Sequence, residues 1–380
     1  MSRDLILVAC SLLVWGLGEG AFFSFQPLYL QQLGADPIKI GAILGGYGLA
    51  QTLAHIPAGY LSDRIGQRPL MWAAWIFGLL ATWFMALATT LPTFIVGMFL
   101  YGATSFVVSP MNSYLTAIRG RLRVGRVLTM VSASYNIGAI LGPLLGGWIG
   151  ERYGFRTIFL FAAIIFVIST ALILLIRPQP TETRTSPQLN EKLLGNRHYL
   201  QFMSLVFVAM FAMYLAQPLA PNYLQNQRDL SLVAIGQLYS ISSLGIVLSN
   251  LILGNLEHRL GYLLGQVAVA IFAMLLWRQS GMFWYSLAYL FVGGYRTARS
   301  LAMAQVQTLV PPAKLGLAYG VSETISSSAN ILVPFVAGYL YAINPDILFP
   351  ISIGLIIISL LANGYYLFYR LPTPKDIIPV

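Results

Sequence analysis

The 380-residue sequence holds one cysteine, Cys10, and three histidines. A lone cysteine excludes an intrachain disulfide framework and any multi-cysteine metal site. Charge is also scarce: Asp, Glu, Lys and Arg make up 9% of the chain, against about 25% in an average soluble domain. So few ionisable groups cannot cover a water-facing surface of this size, and a soluble enzyme is disfavoured before any motif is read. The chain has no G-x-x-x-x-G-K-[ST] loop and no H-E-x-x-H, and its histidines, His55, His198 and His258, are scattered. Neither an ATP-driven pump nor an intramembrane hydrolase is expected, and no cofactor or metal.

What the sequence has is apolar length, with 57% hydrophobic residues and a mean hydropathy of +0.74. A membrane-spanning helix needs about 20 mainly apolar residues. Such stretches lie at approximately 5–31, 38–62, 69–89, 92–117, 126–150, 155–176, 199–221, 231–256, 261–279, 281–309, 316–342 and 347–370. This reading gives twelve spans, an all-α integral membrane protein. The first apolar run is too long for a cleavable signal peptide and its start, Met1 to Asp4, too weakly basic, so it reads as a retained helix.

With the N-terminus inside, fifteen of the 22 basic residues fall in inner segments. Five fall in outer loops: Lys39, Arg152, Arg156, Arg228 and Arg278. That bias follows the positive-inside rule, so both termini are expected in the cytoplasm and the protein in the plasma membrane, the inner membrane if bacterial. The net charge of +10 is then mostly a topology signal. A basic stripe interleaved with exposed aromatics is missing, and no nucleic-acid partner is expected.

Residues 177–198, RPQPTETRTSPQLNEKLLGNRH, interrupt the rhythm with proline, threonine and charge. They read as a cytoplasmic linker, with a short amphipathic turn at Leu189, Leu193 and Leu194, between an N-terminal bundle (1–176) and a C-terminal one (199–380). The two halves are related. Gln26-Pro27-Leu28, Gly102, Gly125, Pro143 and Gly147 recur 191 positions later as Gln217-Pro218-Leu219, Gly293, Gly316, Pro334 and Gly338. An offset of 195 matches Ile40-Gly41 to Ile235-Gly236. Six helices per half return the chain to the side it started from, so the repeats are parallel, and two bundles around a shared central cavity are expected.

Between spans two and three the chain reads Gly59-Tyr60-Leu61-Ser62-Asp63-Arg64-Ile65-Gly66-Gln67-Arg68. This resembles the G-x-L-x-D-R-x-G-R-[KR] signature of the major facilitator superfamily (MFS), departing at Gln67. The resemblance, which covers essentially the whole chain, implies twelve transmembrane helices in two pseudo-symmetric six-helix bundles and secondary transport by alternating access. It also places helices one, four, seven and ten around the cavity. It implies a gating loop in which Asp63, Arg64 and Arg68, turned by Gly59 and Gly66, latch one bundle to the other in the outward-facing state. The second-half copy, Gly254-Asn255-Leu256-Glu257-His258-Arg259-Leu260-Gly261, has His258 in the Asp position, so an asymmetric latch is expected.

Span five carries Gly138, Gly142, Pro143, Gly146 and Gly147, a stride of small residues that permits close helix approach. The run also resembles the antiporter motif of drug-exporting members of the superfamily. Those exporters often carry an Arg four residues before a Gly in helix four; here that position is Met98, before Gly102.

Charges within spans are costly and usually functional. Four are clear: Glu19, Arg296, Arg299 and Glu323. Glu19 is the proton-coupling candidate, because burial and neighbouring charge can move its protonation. Arg296, Gln26, Gln217 and Phe22 are substrate-cavity candidates. Arg299 either binds an anionic group of the substrate or pairs with Glu323, and the pair is the preferred reading.

These residues point to a small-molecule carrier driven by protons or another coupling ion, monomeric in the bilayer. The glycine motif, Glu19 and the aromatic residues of span one lean toward efflux of drug-like compounds. Arg296 and the missing span-four Arg lean toward uptake or exchange of an organic anion or other polar solute. A transport-inactive sensor or scaffold on the same fold is the alternative from another class.

Overall fold

The structure, a computed structural model, describes residues 2–120, 122–179, 196–310 and 315–370, with the side chains of 55–64, Ser109 and 315–317 excepted. Most of the linker, the sequence beyond Arg370, and the side chains of Asp63 and Arg64 therefore lie outside the described residues, as do the surroundings of Gly59. Every regular element among the described residues is helical. In the first half these are α1 (Arg3–Phe23), α2 (Gln26–Gln32), α3 (Pro37–Ile65), α4 (Gln67–Leu87), α5 (Leu91–Ala103), α6 (Val108–Ala117), α7 (Val124–Tyr153) and α8 (Phe155–Leu174). In the second they are α9 (Arg197–Tyr214), α10 (Ala220–Arg228), α11 (Leu232–Leu253), α12 (His258–Arg278), α13 (Met282–Phe291), α14 (Gly294–Val306), α15 (Leu315–Ile343) and α16 (Leu348–Tyr365).

Nine helical segments among the described residues are long and apolar enough to cross a membrane. The other three expected spans are covered by α3, by α9 with α10, and by α13 with α14. Each departs from a plain apolar rod for a readable reason. α3 is diluted along its length by Gly41, Gly45, Gly46, Gly48, Gln51, Thr52 and His55. The seventh span is interrupted at 215–219 around Pro218, and the tenth is interrupted at 292–293 and carries Arg296 and Arg299.

Those interruptions have counterparts in the first half. Span one breaks at Ser24 and Phe25, where Pro27 opens α2 and has no N–H to continue the helix above it. Span four changes to a 3-10 turn at Thr104–Val107 between α5 and α6. At the tenth span's break, Gly293 lies against the backbone of Gly245, and a Cβ there would sit 2.5 Å from the Ile246 nitrogen. The broken spans are thus one, four, seven and ten, at corresponding places in the two halves.

By packing, the described residues of Met1–Pro187 and Leu224–Ser240 form one compact unit, and those of Gln188–Tyr223 and Ile241–Val380 another. In the first, α7 lies along α1 because Gly138, Gly142 and Gly146 present bare backbone to the carbonyls of Leu13, Leu17 and Ala21. Gly147, beside this stripe, faces Leu232 of α11, and Gly236 of α11 faces the Pro143 carbonyl. Small residues on both helices allow this approach, which is why residues 224–240 pack with the first unit although the repeat assigns them to the second half.

Candidate functional site

Each unit contributes its own group of polar and aromatic side chains beside the broken spans. In the first unit α1 is fixed at two levels. Lower down, Trp75 Nε1 donates to both Ser11 Oγ and Ser169 Oγ at 2.9 Å, and Ser169 Oγ donates to the Ser11 carbonyl at 2.8 Å. These buried bonds tie α1, α4 and α8 and set the rotation of α1. Two turns further along, Glu19 is half-buried and accepts a hydrogen bond from the Tyr135 hydroxyl of α7 at 2.9 Å. A carboxylate at this depth needs such a donor, since the bilayer supplies none.

Tyr101 of α5 is 3% exposed. Glu19, Tyr47 and Tyr135 lie close enough to act on it electrostatically. Its ring lies beside the stacked pair Trp15 and Phe166, whose centroids are 4.1 Å apart, at 6.0 Å from each, and meets Phe22 edge-on at 5.2 Å. Phe22 itself is fully buried against Tyr101, Phe159 and Phe166. It is a packing residue of the first unit and presents no surface to a cargo, unlike the substrate-cavity role expected of it. Gln26 is also buried, 1% exposed, with Nε2 lacking a partner. Tyr47 accepts from Gln51 Nε2 at 3.2 Å.

In the second unit, Gln217 is held within its own chain turn, Nε2 donating to the Met213 carbonyl at 2.8 Å. Tyr214, the last residue of α9, stacks on Tyr295 with centroids 5.6 Å apart. The Tyr295 hydroxyl donates to Asn330 Oδ1 at 2.8 Å, joining α14 to α15. One turn on, Arg299 forms an ion pair with Glu323 and donates to Ser327 Oγ at 3.3 Å. Arg296 is exposed on α14. It is near enough to Tyr214 and Tyr295 to act on both hydroxyls.

The gating-loop residues divide between described and not. Gly66 turns the chain into α4 with φ 83°, in the left-handed region that favours glycine. The Arg68 guanidinium lies 3.9 Å over the Trp72 ring, its Nε without a hydrogen-bond partner. Outside the spans, Asp36 begins α3 by accepting the Lys39 N–H at 2.8 Å and pairing with its ammonium at 3.0 Å. The Lys39 backbone N–H, then its side chain, hold the Asp36 carboxyl below its ordinary value. Among the described residues no group of three or more His, Cys, Asp and Glu could hold a metal.

Reading the sequence alone missed Tyr135, Tyr101, Tyr214 and Tyr295, and the Trp75 network. The available signal was polar atoms inside apolar helices: Ser11, Ser169 and Asn330 each sit among hydrophobic neighbours and each has its partner.

Broken, repeat-related helices with polar groups at the breaks define a multi-pass membrane carrier. The sequence matches the Major Facilitator Superfamily over residues 7–294 and 202–380, and the chain belongs to that family. It is 25% identical over 262 residues, 67% of each chain, to an uncharacterised MFS-type transporter of Methanocaldococcus jannaschii. It is 20% identical over 379 residues to quinolone resistance protein NorA of Staphylococcus aureus, covering 93% of this chain and 94% of that one. Its fold is similar to the crystal structure of nucleoside transporter NupG, with a TM-score of 0.80 at 17% identity over 96% of this chain and 99% of the other.

Proposed function

We propose that this MFS transporter exports drug-like compounds in exchange for protons. The observation that carries the reading is the half-buried Glu19, placed one turn before the span-one break and held by Tyr135. Discontinuous helices at corresponding places in two repeats are where transporters build their sites, because unwound backbone can be tolerated only beside protein or water. A single carboxylate there can take a proton on one side of the membrane and release it on the other. The similarity to NorA supports the direction of transport. Asp63, Arg64 and Arg68 serve in this reading as the latch between the bundles, with Gly59 and Gly66 shaping its turn. The protein works as a monomer in the cytoplasmic membrane.

A second reading, uptake or exchange of a polar solute, is supported by Arg296, a cation whose exposure at membrane depth suits a polar cargo. Both are tested in inside-out vesicles by following collapse of the proton gradient on addition of hydrophobic cations, neutral drugs, sugars and organic anions. Export through Glu19 predicts a response to cations or drugs that is lost in Glu19→Gln. A response confined to sugars or organic anions favours the second reading. Proton coupling that persists in Glu19→Gln removes Glu19 from the mechanism.

A further inference from the structure

The second unit holds more positive charge at membrane depth than it neutralises. Arg296 lies about 21 Å along the helical path from Met282 and about 15 Å from Val306, at 1.5 Å per residue. A hydrocarbon core about 30 Å thick puts it near the middle, beyond the reach of a side chain bending toward either interface. An arginine at that depth requires a counter-charge or a water-filled passage. The charged groups acting on Tyr295 are Arg296, Arg299 and Glu323, two cations and one anion, beside the neutral Tyr214. Arg299 takes Glu323, and Ser327 as well. Among the described residues no carboxylate lies within ion-pair distance of Arg296.

The surroundings of Arg296 are built rather than incidental. Tyr295, immediately before it, is 8% exposed and locked from both sides, by the ring of Tyr214 and by Asn330. Thr297, immediately after it, is 1% exposed and donates to Asn250 Oδ1 at 2.8 Å. Its backbone is therefore pinned by two buried neighbours while its own guanidinium stays exposed, one turn beyond the α13–α14 break. Tyr214 is half-buried, stacked on the preceding Tyr295, with its hydroxyl close enough for the Arg296 charge to act on it. A planar fork of N–H donors near the stacked Tyr214 and Tyr295 rings matches a carboxylate carried on a flat ring, which a guanidinium can grip with two parallel hydrogen bonds.

We propose that Arg296 and Tyr214 form an anion subsite that binds the carboxylate of an aromatic acid, so that the transported compounds include ones bearing an anionic group. This rests on the chain being a transporter, and it narrows the cargo whichever way it moves.

The test is equilibrium binding, independent of transport, of 1-naphthoate, methyl 1-naphthoate and 1-naphthylmethylammonium to the full chain in nanodiscs of zwitterionic lipid. A charged hydrogen-bond partner predicts that naphthoate binds tighter than its ester by roughly tenfold or more. That preference should vanish in Arg296→Gln, while Tyr214→Ala weakens acid and ester alike. Should Arg296→Gln not fold, Arg296→Lys reads the same site: the charge stays, the fork is lost, and the acid's advantage should shrink with ester binding unchanged. Equal binding of acid and ester, no binding of the acid, or a preference that survives Arg296→Gln each overturns the proposal. An acid preference in binding with no proton-gradient response would instead sink the efflux reading and leave the subsite standing.

Discussion

Gln31 and Asn226 hold each other by two amide hydrogen bonds, Gln31 Nε2 to Asn226 Oδ1 at 3.2 Å and Asn226 Nδ2 to Gln31 Oε1 at 2.9 Å. They are 195 positions apart, the same offset that relates Ile40-Gly41 to Ile235-Gly236. Each is the other's repeat-mate, and both pack within the first unit. Alternating access requires the repeats to part at one membrane face and then the other. A Gln31→Cys, Asn226→Cys pair in a Cys10→Ser background should therefore lose substrate turnover under oxidant and regain it on reduction. Turnover with the pair fully cross-linked would mean that this contact persists through the whole cycle.

The seam between α1 and α7 leaves no room for one carbon. A Cβ on Gly142 would sit 2.5 Å from the Leu17 oxygen and 2.7 Å from the Ala21 nitrogen, and neither backbone atom can swing away. Gly142→Ala should cost on the order of 1–3 kcal/mol, the usual range for overpacking. Gly320, in α15, has no atom within 4 Å of the same position. Gly320→Ala should be neutral or gain up to about 1 kcal/mol from reduced backbone freedom. Thermal unfolding of both variants in one detergent separates crowding from helix propensity.

Arg299 and Glu323 form an ion pair whose side chains are 24% and 57% exposed. Discounted for that exposure, loss of either partner should cost about 1 kcal/mol. Arg299→Ala should lower the melting temperature, and adding Glu323→Ala should restore most of the loss because the leftover charge goes with it. If the double variant is no more stable than the single, Arg299 has a role other than neutralising Glu323.

Asp36 sets an acid limit on the loop between α2 and α3. Its carboxyl is held below the ordinary value by the Lys39 N–H and ammonium. The folded state therefore favours the ionised form, and the contribution is complete above the unfolded carboxylate value. It fades as pH falls through the lowered folded value. Wild type and Asp36→Ala should differ in melting temperature near neutral pH, and the gap should close on acidification. A gap that widens in acid would reverse the sign of this linkage.

The family, the membrane class and the repeat were readable because they depend on apolar length, basic asymmetry and a loop of strict spacing. The breaks in spans one and seven were not read: the repeated Gln-Pro-Leu marks both places, but it served only to relate the halves. Contacts between helices were mostly hidden. An apolar helix in a bilayer shows no polar face to fix its rotation, so nothing in the spacing of Ser11 and Glu19 could say that one would meet Trp75 and the other Tyr135. Phe22 shows the same gap: an aromatic residue near a carboxylate reads as a wall residue until the packing turns it inward. Gln31 and Asn226 differ in residue type, and matching identical residues across the halves passed over them.

The way α1 is held sets an order on synthesis. Its main neighbours are α7 and α8: Glu19 waits for Tyr135, 116 residues downstream, and Ser11 waits for Ser169, 158 downstream. At roughly 5–20 residues per second, those partners leave the ribosome about 6–30 s after the segment they must clasp. The opening helix thus enters the bilayer long before its closest packing surface exists. For that interval the carboxylate of Glu19 must be sheltered by the insertion machinery or by its own protonation, so this chain's assembly is committed late, when the fifth and sixth spans arrive.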